Sequence, residues 1–417
     1  MRSKHIIKPT LKQLEFQNWG FGLFIHFGLR TFYEGYTDFD ERPMSPDTFC
    51  PIQLNCEQWI ETAKKAGMKY AVLTAKHHDG FSNWPSAYTT FSVKQSPWKQ
   101  GKGDVVREFV DACRKFDMKP GLYYSPYDGA ADFYTKDAKA YDDYFINQMT
   151  ELLTQYGEID ILWFDGAGSE GHEYDWHRIV SRIRSLQPNI LIFNSADPDI
   201  RWIGNEDGIA PIECSNVVDA LDFSIYTDDQ QLLEEKLWLP AECDVQIRDR
   251  WFYSDHNEHT LKSLKELMGI YDHSIGRGTN LLLNIGPDRN GLLPELDVKR
   301  ILEMGAAIRK RYCHPLATMC DFVEENGAWV FETDVPILIN HITIQEDLTE
   351  GERVRMFKIE VMTAKTGKYV TVHTGTYIGS KRIISIPLIN VRGVKLTILK
   401  RQGNPLIKAI SVYNINE

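Results

Sequence analysis

The chain has 417 residues, a length that favours two domains over a single compact core. Hydrophobic residues make up 43% and charged residues 25%, which is typical of a globular protein. The formal net charge of -11 and the lack of any basic run make nucleic acids and anionic membranes poor partners.

Targeting and cysteine patterns predict where the protein works. The first residues lack the apolar core of a signal peptide, and no apolar stretch approaches the ~18 to 20 residues that cross a membrane. The seven cysteines are scattered without a C-x-x-C pair, so we expect reduced thiols instead of disulfides or a zinc site. These features predict a cytoplasmic protein.

Short apolar runs alternate with amphipathic helical patterns from about residue 20 to 315. The predicted strands are 21–28, 70–76, 120–125, 158–165, 190–194, a weak sixth strand between Ile209 and Ser224, then 239–243 and 280–285. Helical stripes occupy 57–66, the segment after a plausible N-cap at Asp104, 176–186 and 261–271. Eight strands interleaved with helices predict an α/β fold, a (β/α)8 (TIM-like) barrel.

The sequence pattern changes near residue 318, where helical stripes give way to runs that alternate or stay apolar at period two. We therefore expect a catalytic barrel over residues 1–317 and a small all-β sandwich over 318–417. No low-complexity linker separates them, so the domains should pack closely. The polar segment 31–55 is predicted to be a long loop over the barrel mouth.

Polar side chains end the first four predicted strands. They are His26, then Lys76 to Asp79 with His77 and His78, then Tyr123 to Ser125, and finally Asp165. Ligand chemistry collects at this end of barrel strands, so these groups predict a cleft for a polyhydroxylated ligand. An ionised Asp165 at the end of an apolar strand needs compensating partners, although capping of the next turn is an alternative explanation.

A metal site is a second explanation for the histidines. Zinc barrels usually present a His-x-His pair on the first strand, whereas His26 stands alone between Ile25 and Phe27. The missing ligand disfavours a metal-dependent hydrolase, and we expect neither metal nor cofactor. A non-catalytic carbohydrate-binding protein is another alternative.

Four segments in register resemble the α-L-fucosidases of glycoside hydrolase family 29. They are Phe24 to Gly28, Lys76 to Phe81, Gly121 to Ser125 and Trp163 to Gly166. The resemblance implies a retaining enzyme with Asp165 as nucleophile. It also implies a fucose pocket that contains His26, His77, His78 and Tyr123. We expect Trp163 and Trp251 to lie in the substrate site as well, because an aromatic surface such as Trp251 can hold the C6 methyl group of fucose.

Downstream segments resemble the subgroup that acts on α-1,3 and α-1,4 fucosyl linkages, notably Arg201 to Glu206 and Arg248 to Tyr253. That resemblance implies Glu206 as the general acid/base. Glu213 and Glu242 remain rival candidates. The implied substrate is therefore a fucosylated oligosaccharide or glycan.

The loop after the first strand departs from the family pattern. The family usually carries a Glu-Trp pair there, whereas this chain has Glu34, Gly35 and Tyr36. We expect Glu34 to lie in the substrate site and an aromatic contact to come from Tyr36 or Trp84. These departures affect the expected leaving-group specificity, not the expected chemistry.

Overall fold

The computed structural model describes residues 6–37, 39, 42–194, 197–221 and 230–415. These residues form an eight-stranded parallel sheet, a seven-stranded antiparallel sheet and a separate two-stranded hairpin. The predicted fold class, a (β/α)8 barrel followed by a small β domain, is confirmed.

The first ten strands belong to the barrel and to the hairpin. They are β1 Phe21–Ile25, β2 Tyr70–Lys76, β3 Lys119–Tyr124, β4 Ile161–Phe164, β5 Leu191–Phe193, β6 Arg201–Trp202, β7 Val217–Leu221, β8 Gln231–Trp238, β9 Ala241–Gln246 and β10 Asn280–Asn284. The barrel order is β5-β4-β3-β2-β1-β10-β9-β6. A parallel bridge between Phe193 and Ile200 brings the two edges of this sheet together.

The predicted position of the sixth barrel strand is wrong. That strand is β6, which spans two residues, whereas β7 pairs in antiparallel fashion with β8 outside the barrel. Residues 222–224 of the predicted range lie outside the described residues. A two-residue strand leaves no periodic pattern in the sequence, so the pattern favours a segment further along the chain.

Seven α-helices are described. They are α1 Leu11–Trp19, α2 Cys56–Ala66, α3 Val105–Lys115, α4 Ala138–Gln155, α5 Trp176–Leu186, α6 Leu264–His273 and α7 Glu295–Tyr312. Asp104 caps α3 as predicted, because its side chain accepts a hydrogen bond from the backbone N–H of Arg107. Within the described part of the chain, no helix is long and apolar enough to cross a membrane. All seven cysteines are free, and five of them are at least partly buried.

Alternation along the barrel strands separates an outer core from an inner core. Side chains of Leu23 and Ile25 pack in the outer layer with the helices, whereas Phe24 packs inside the barrel. Tyr123 and Trp163 belong to the same inner cluster as Phe24. Successive side chains of a strand point to opposite faces, so a residue two positions after one of these inner residues also faces the inside of the barrel. At the carboxyl end of a strand such a residue lies at the barrel mouth.

The β domain is one bent antiparallel sheet with its own core. Its strands are β11 Ala317–Thr318, β12 Val323–Glu325, β13 Ala328–Glu346, β14 Val354–Thr363, β15 Tyr369–Gly375, β16 Arg382–Arg401 and β17 Ile407–Tyr413. The order is β11-β17-β13-β16-β14-β15, and β12 pairs with β13. Bulges interrupt the β13–β16 pairing between Glu332 and Ile337 and again between Ile339 and His341, which bends the long strands.

A buried carboxylate fastens the β domain to the barrel. Glu352 is 1% exposed and accepts hydrogen bonds from the Ser215 hydroxyl at 2.7 Å and the Asn216 backbone N–H at 3.0 Å. The Asn216 side-chain amide donates a third bond at 2.7 Å. Burial raises the pKa of Glu352, and these donors oppose that rise.

Replacement of Glu352 should destabilise the protein at this junction. Glu352→Ala leaves buried donors without an acceptor, and we expect a loss of about 2–4 kcal/mol in the free energy of unfolding. Urea unfolding measures the change. Glu350→Ala is the matched control because Glu350 is half-exposed and its ion pairs with Lys8 and Arg353 lie at the surface, so its effect should be far smaller. Equal effects of the two variants would contradict the assigned role of Glu352.

Candidate active site

The ends of the first four barrel strands bring five predicted residues together. His26 follows β1, His77 and His78 follow β2, Tyr123 lies near the end of β3, and Asp165 follows β4. The rings of His26 and His77 lie 5.6 Å apart, and each approaches the Tyr123 ring at 5.6 and 5.3 Å. The predicted cleft therefore has a physical counterpart at the barrel mouth.

Asp165 sits among hydrogen-bond donors. The Tyr123 hydroxyl donates to Oδ2 at 2.8 Å, and the backbone N–H of Ala167 donates to Oδ1 at 3.0 Å. Nε2 of His78 lies 3.4 Å from Oδ2. The Asp165 side chain remains 29% exposed, so a ligand in the cleft can reach the carboxylate.

These partners decide the protonation state of Asp165. Burial alone would raise its pKa, but the charge and hydrogen bond of His78, with the bonds from Ala167 and Tyr123, outweigh burial and lower the pKa to about 2. Since the unfolded value is near ~3.9, the stability that this group contributes is present above that pH. It is lost as pH falls towards 2. Asp165 is therefore ionised throughout the neutral range.

The histidine pair after β2 has two different environments. Nδ1 of His78 lies 2.7 Å from the Ser125 hydroxyl, which fixes the ring with Nε2 towards Asp165. The His77 ring stacks on Tyr123 at an interplanar angle of 7°. Burial, followed by the charges of His78, Arg30 and His26, lowers the pKa of His77 well below its usual value. His77 is therefore a neutral imidazole, able to donate from one nitrogen and accept at the other.

His26 is oriented by Asn284 at the end of β10. The side-chain oxygen Oδ1 of Asn284 lies 2.8 Å from Nδ1 of His26 and 3.3 Å from the backbone nitrogen of His26. The side-chain amide of Asn284 donates to the Trp251 carbonyl at 2.8 Å. The Trp251 ring lies 4.9 Å from the His26 ring, so the structure brings the predicted Trp251 into the site.

Trp163 lies deeper than the other predicted residues. It is 5% exposed, and its ring stacks between Tyr123 at 5.5 Å and Phe193 at 4.0 Å. Its indole N–H donates to Glu242 at 3.0 Å. Trp163 therefore supports Tyr123 from below, with little of its surface open to the cleft.

Glu34 and Tyr36 line the approach to the cleft. Both contribute to a cavity of about 310 Å³ together with Trp251. Glu34 accepts from the Ser254 hydroxyl at 2.6 Å and pairs with Arg289 at 3.1 Å, which ties the loop after β1 to later loops. Trp84, in contrast, is fully buried and donates to Glu151 at 2.9 Å. The prediction that Trp84 could contact sugar is therefore wrong, and Tyr36 is the one that lies at the cleft.

Glu206 lies on an exposed loop after β6 with an unusual backbone. Its φ of 52° is in the left-handed region, which few residues other than glycine adopt. The Asn205 side chain accepts from the Asp207 backbone N–H at 3.0 Å and donates to the Ile209 carbonyl at 2.7 Å. A backbone bridge from Asp207 to Val245 fixes the loop against β9.

The two rival acids have different surroundings. Glu242 is 1% exposed near the start of β9 and accepts from Tyr70 at 2.5 Å and from Trp163. Burial raises its pKa to about 7 against these hydrogen bonds. Glu213 is exposed and follows Ile212, whose carbonyl accepts from Arg382 of the β domain. Glu242 is thus enclosed in the barrel, and Glu213 belongs to the domain boundary.

Asp244 is a site residue that the sequence reasoning missed. It is 3% exposed on β9 and accepts from the Trp202 indole at 2.7 Å. Burial raises its pKa to about 8; Trp202 opposes the rise, and the nearby charge of Glu206 adds to it. The signal available in the sequence was the Glu242-x-Asp244 alternation, which places two carboxyls on one face of a strand. Asn284 is also absent from the predicted site, although it lies near the end of a predicted strand.

Metal ligation receives no support from the residues that the structure describes. Among them, no group of three His, Cys, Asp or Glu side chains could hold a metal ion. The arrangement instead combines an ionised carboxylate, three imidazoles, a phenol and aromatic surfaces. It can present a nucleophilic oxygen to a bound polyol and hold the hydroxyl groups of that polyol.

Removal of His78 should raise the pKa of Asp165 more than removal of the Tyr123 hydroxyl. His78 supplies the largest effect that favours the ionised carboxylate, and Tyr123 a smaller one. The ¹³C carboxyl shift of Asp165, assigned by comparison with Asp165→Asn, should titrate at the highest pH in His78→Ala. Tyr123→Phe should be intermediate and the wild type lowest.

His172→Ala is the control for loss of a buried imidazole. His172 packs against Tyr134 and Tyr174 and is not among the groups that shift the pKa of Asp165. Its variant should leave the Asp165 titration unchanged. An unchanged titration in His78→Ala, or an equal shift in His172→Ala, would show that Asp165 owes its acidity to something else.

Comparisons with known proteins agree with this geometry. The Alpha-L-fucosidase family profile matches residues 7–311. Alpha-L-fucosidase 1 of Arabidopsis thaliana is 34% identical over an alignment of 446 positions, which covers 97% of this chain and 87% of that protein. A glycoside hydrolase 29 family member from an unknown rumen bacterium is 34% identical with a TM-score of 0.90, covering 99% of this chain and 78% of that one.

A fucosidase structure with bound sugar is also similar. The Ruminococcus gnavus glycoside hydrolase 29 fucosidase in complex with fucose is 25% identical with a TM-score of 0.86, covering 99% of this chain and 95% of that chain. The family match spans most of the chain, and the similarity to the plant enzyme extends over nearly all of it. The chain therefore belongs to the α-L-fucosidase family and is a glycoside hydrolase.

Proposed function

We propose that this protein is a retaining, exo-acting α-L-fucosidase in which Asp165 is the nucleophile and Glu206 the general acid/base. The observation that carries the proposal is an ionised, partly exposed Asp165 held by Tyr123 and His78 at the barrel mouth. Retaining glycosidases place a carboxylate of this kind opposite a second, proton-carrying carboxyl group. Its substrates are terminal α-L-fucosyl residues of oligosaccharides or glycans.

The first step forms a covalent intermediate. An oxygen of Asp165 attacks the anomeric carbon as the bond from that carbon to the leaving oxygen breaks. Glu206 gives its proton to the leaving oxygen, so the departing sugar leaves as a neutral alcohol. The anomeric centre inverts, and the product is a β-L-fucosyl ester of Asp165.

The second step releases fucose. Ionised Glu206 takes a proton from water, and the water oxygen attacks the same carbon while the ester bond to Asp165 breaks. A second inversion restores the α configuration, and both carboxyl groups return to their starting states. The exposed position of Glu206 gives water access to it.

Recognition of fucose falls to the groups around Asp165. His26, His77, His78 and Tyr123 are suited to hold sugar hydroxyls, since their ring nitrogens and phenol can donate or accept. Trp251 offers an apolar surface beside His26 for the C6 methyl group. Glu34 and Tyr36 lie further out, and Trp163 acts chiefly through its stack on Tyr123.

The linkage preference is proposed to be α-1,3 and α-1,4. The support is the resemblance of Arg201 to Glu206 and Arg248 to Tyr253 to the subgroup with that preference. Hydrolysis of isomeric fucosyl oligosaccharides, α-1,2 against α-1,3 and α-1,4, tests it directly. The scattered free thiols favour a reducing cytoplasmic compartment.

Loss of the nucleophile should nearly abolish turnover. For Asp165→Asn we expect kcat to fall by ~10³-fold or more with the fold intact, because no covalent intermediate can form. In Asp165→Gly, azide can enter the vacated space and displace the leaving group once. The product should then be β-L-fucosyl azide, which NMR identifies. Near-normal turnover of the Asn variant would show that Asp165 only caps a turn.

Loss of the acid/base should depend on the leaving group. Glu206→Ala should reduce hydrolysis of a natural oligosaccharide much more than hydrolysis of an activated aryl fucoside, which needs little protonation. Azide should restore turnover of the aryl substrate by attacking the fucosyl-Asp165 ester. Two inversions then give α-L-fucosyl azide, the opposite anomer to that from Asp165→Gly.

Glu213→Ala and Glu242→Gln are the matched controls for this assignment. The first removes an exposed carboxylate of the same segment, and the second removes a buried one on β9. Neither should give azide rescue or a leaving-group dependence. If either one does so while Glu206→Ala does not, the acid/base is misassigned, although the covalent mechanism could still stand on the Asp165 results.

A further inference from the structure

A second cavity opens beside the fucose-binding residues. It has a volume of about 500 Å³ and is bordered by His78 and by loops that follow β1, β2 and β3. Polar groups of Arg30 and Asp79 line it, as do the rings of Phe39 and Tyr127. A cavity of this size with mixed aromatic and polar walls is of the kind that holds a small ligand.

Phe39 is an unusual residue in this wall. Its side chain is 50% exposed, although large apolar rings are normally buried. The ring stacks on His78 with centroids 5.1 Å apart and planes 22° from parallel, and it meets the Tyr127 ring edge-on at 5.6 Å. Phe39 and Tyr127 thus form a continuous aromatic surface that we call the aromatic wall.

The backbone around the aromatic wall is built to hold it. Phe39 has a φ of 59°, a conformation that a bulky residue rarely adopts. Gly168, in the loop after Asp165, has no side chain there; a Cβ would lie 2.6 Å from the Phe39 ring and 2.9 Å from the Tyr127 ring. Strained backbone of this kind is concentrated at functional sites. The loops after β1, β3 and β4 therefore converge on one surface.

The position of His78 indicates which part of a substrate contacts the aromatic wall. The Phe39 ring stacks on the face of the His78 imidazole, whereas Nε2 of His78 lies 3.4 Å from Oδ2 of Asp165. Phe39 is therefore separated from the nucleophile by His78. A group bound against it lies outside the pocket that surrounds Asp165, where the leaving group of a fucoside must extend.

We infer that the aromatic wall of Phe39 and Tyr127 is the leaving-group subsite of this enzyme, and that it receives the C–H face of a pyranose ring. This rests on the proposed function. A pyranose has an apolar face for the rings and hydroxyl groups for Arg30 and Asp79 at the same cavity. The substrate class it selects is a fucosylated oligosaccharide, in which a sugar directly carries the fucose, over simple fucosides.

The test compares two leaving groups. Fluoride is too small to reach the cavity, whereas an oligosaccharide fills it. For Phe39→Ala, kcat/KM for a fucosyl oligosaccharide should fall by roughly fivefold to tenfold relative to kcat/KM for α-L-fucosyl fluoride. The loss should lie mainly in KM, and Phe39→Trp should restore the ratio.

Two further variants separate the ring from the backbone. Phe39→Gly removes the ring and relieves the left-handed strain, so it should show the same loss of ratio without a lower Tm. Tyr88→Ala is the matched control, because Tyr88 is similarly exposed at 48% and does not line the cavity. Its ratio should equal that of the wild type.

Each outcome decides the matter. An unchanged ratio of the two kcat/KM values in Phe39→Ala and Phe39→Gly overturns the inference. If both kcat/KM values fall equally, Phe39 acts through His78 on the fucose pocket instead of on the leaving group. If the wild type does not hydrolyse fucosyl fluoride at all, the proposed function itself fails. That result is distinct from a change in the ratio.

Discussion

The site depends on keeping one carboxylate ionised at the end of a buried strand. Desolvation works against this, and Asp165 overcomes it with His78, the Tyr123 hydroxyl and the Ala167 backbone N–H. Each of these partners is itself fixed. The hydrogen bond between Nδ1 of His78 and the Ser125 hydroxyl orients the imidazole. The Tyr123 ring is stacked on both faces, with centroid distances of 5.3 Å to His77 and 5.5 Å to Trp163. The acidity of Asp165 is therefore a property of three strand ends together.

The other carboxyl groups of the barrel interior show what happens without such partners. Glu242 and Asp244 are as buried as any residue of the site, and each has indole or phenol donors but no cation at ion-pairing distance among the described residues. Burial raises their pKa values to about 7 and about 8. One barrel thus holds an ionised carboxylate at its mouth and, on β9, two carboxyl groups whose pKa values are raised into the neutral range, and the difference follows from their environments.

Much of this arrangement could be predicted from sequence because it follows local patterns. Apolar runs gave seven of the barrel strands, and polar residues at their ends gave His26, His77, His78, Tyr123 and Asp165. The failures have physical causes. β6 is too short to produce a period, and Trp84 looked available although it packs inward against Glu151. The contacts of Asn284 and Asp244, and the left-handed backbone at Glu206 and Phe39, depend on distant neighbours, which the pattern of a strand does not identify.

Trp163 illustrates how far such patterns reach. Its place beside Asp165 in the chain suggests a sugar contact, yet alternation turns its ring into the barrel, between Tyr123 and Phe193. Its N–H also satisfies Glu242, which in turn accepts from Tyr70 on β2. A row of stacked rings from Phe193 through Trp163 and Tyr123 to His77 therefore crosses β5, β4, β3 and the end of β2. Because close-packed rings cannot tilt independently, this row sets the direction of the Tyr123 hydroxyl and so the hydrogen bond on which Asp165 relies.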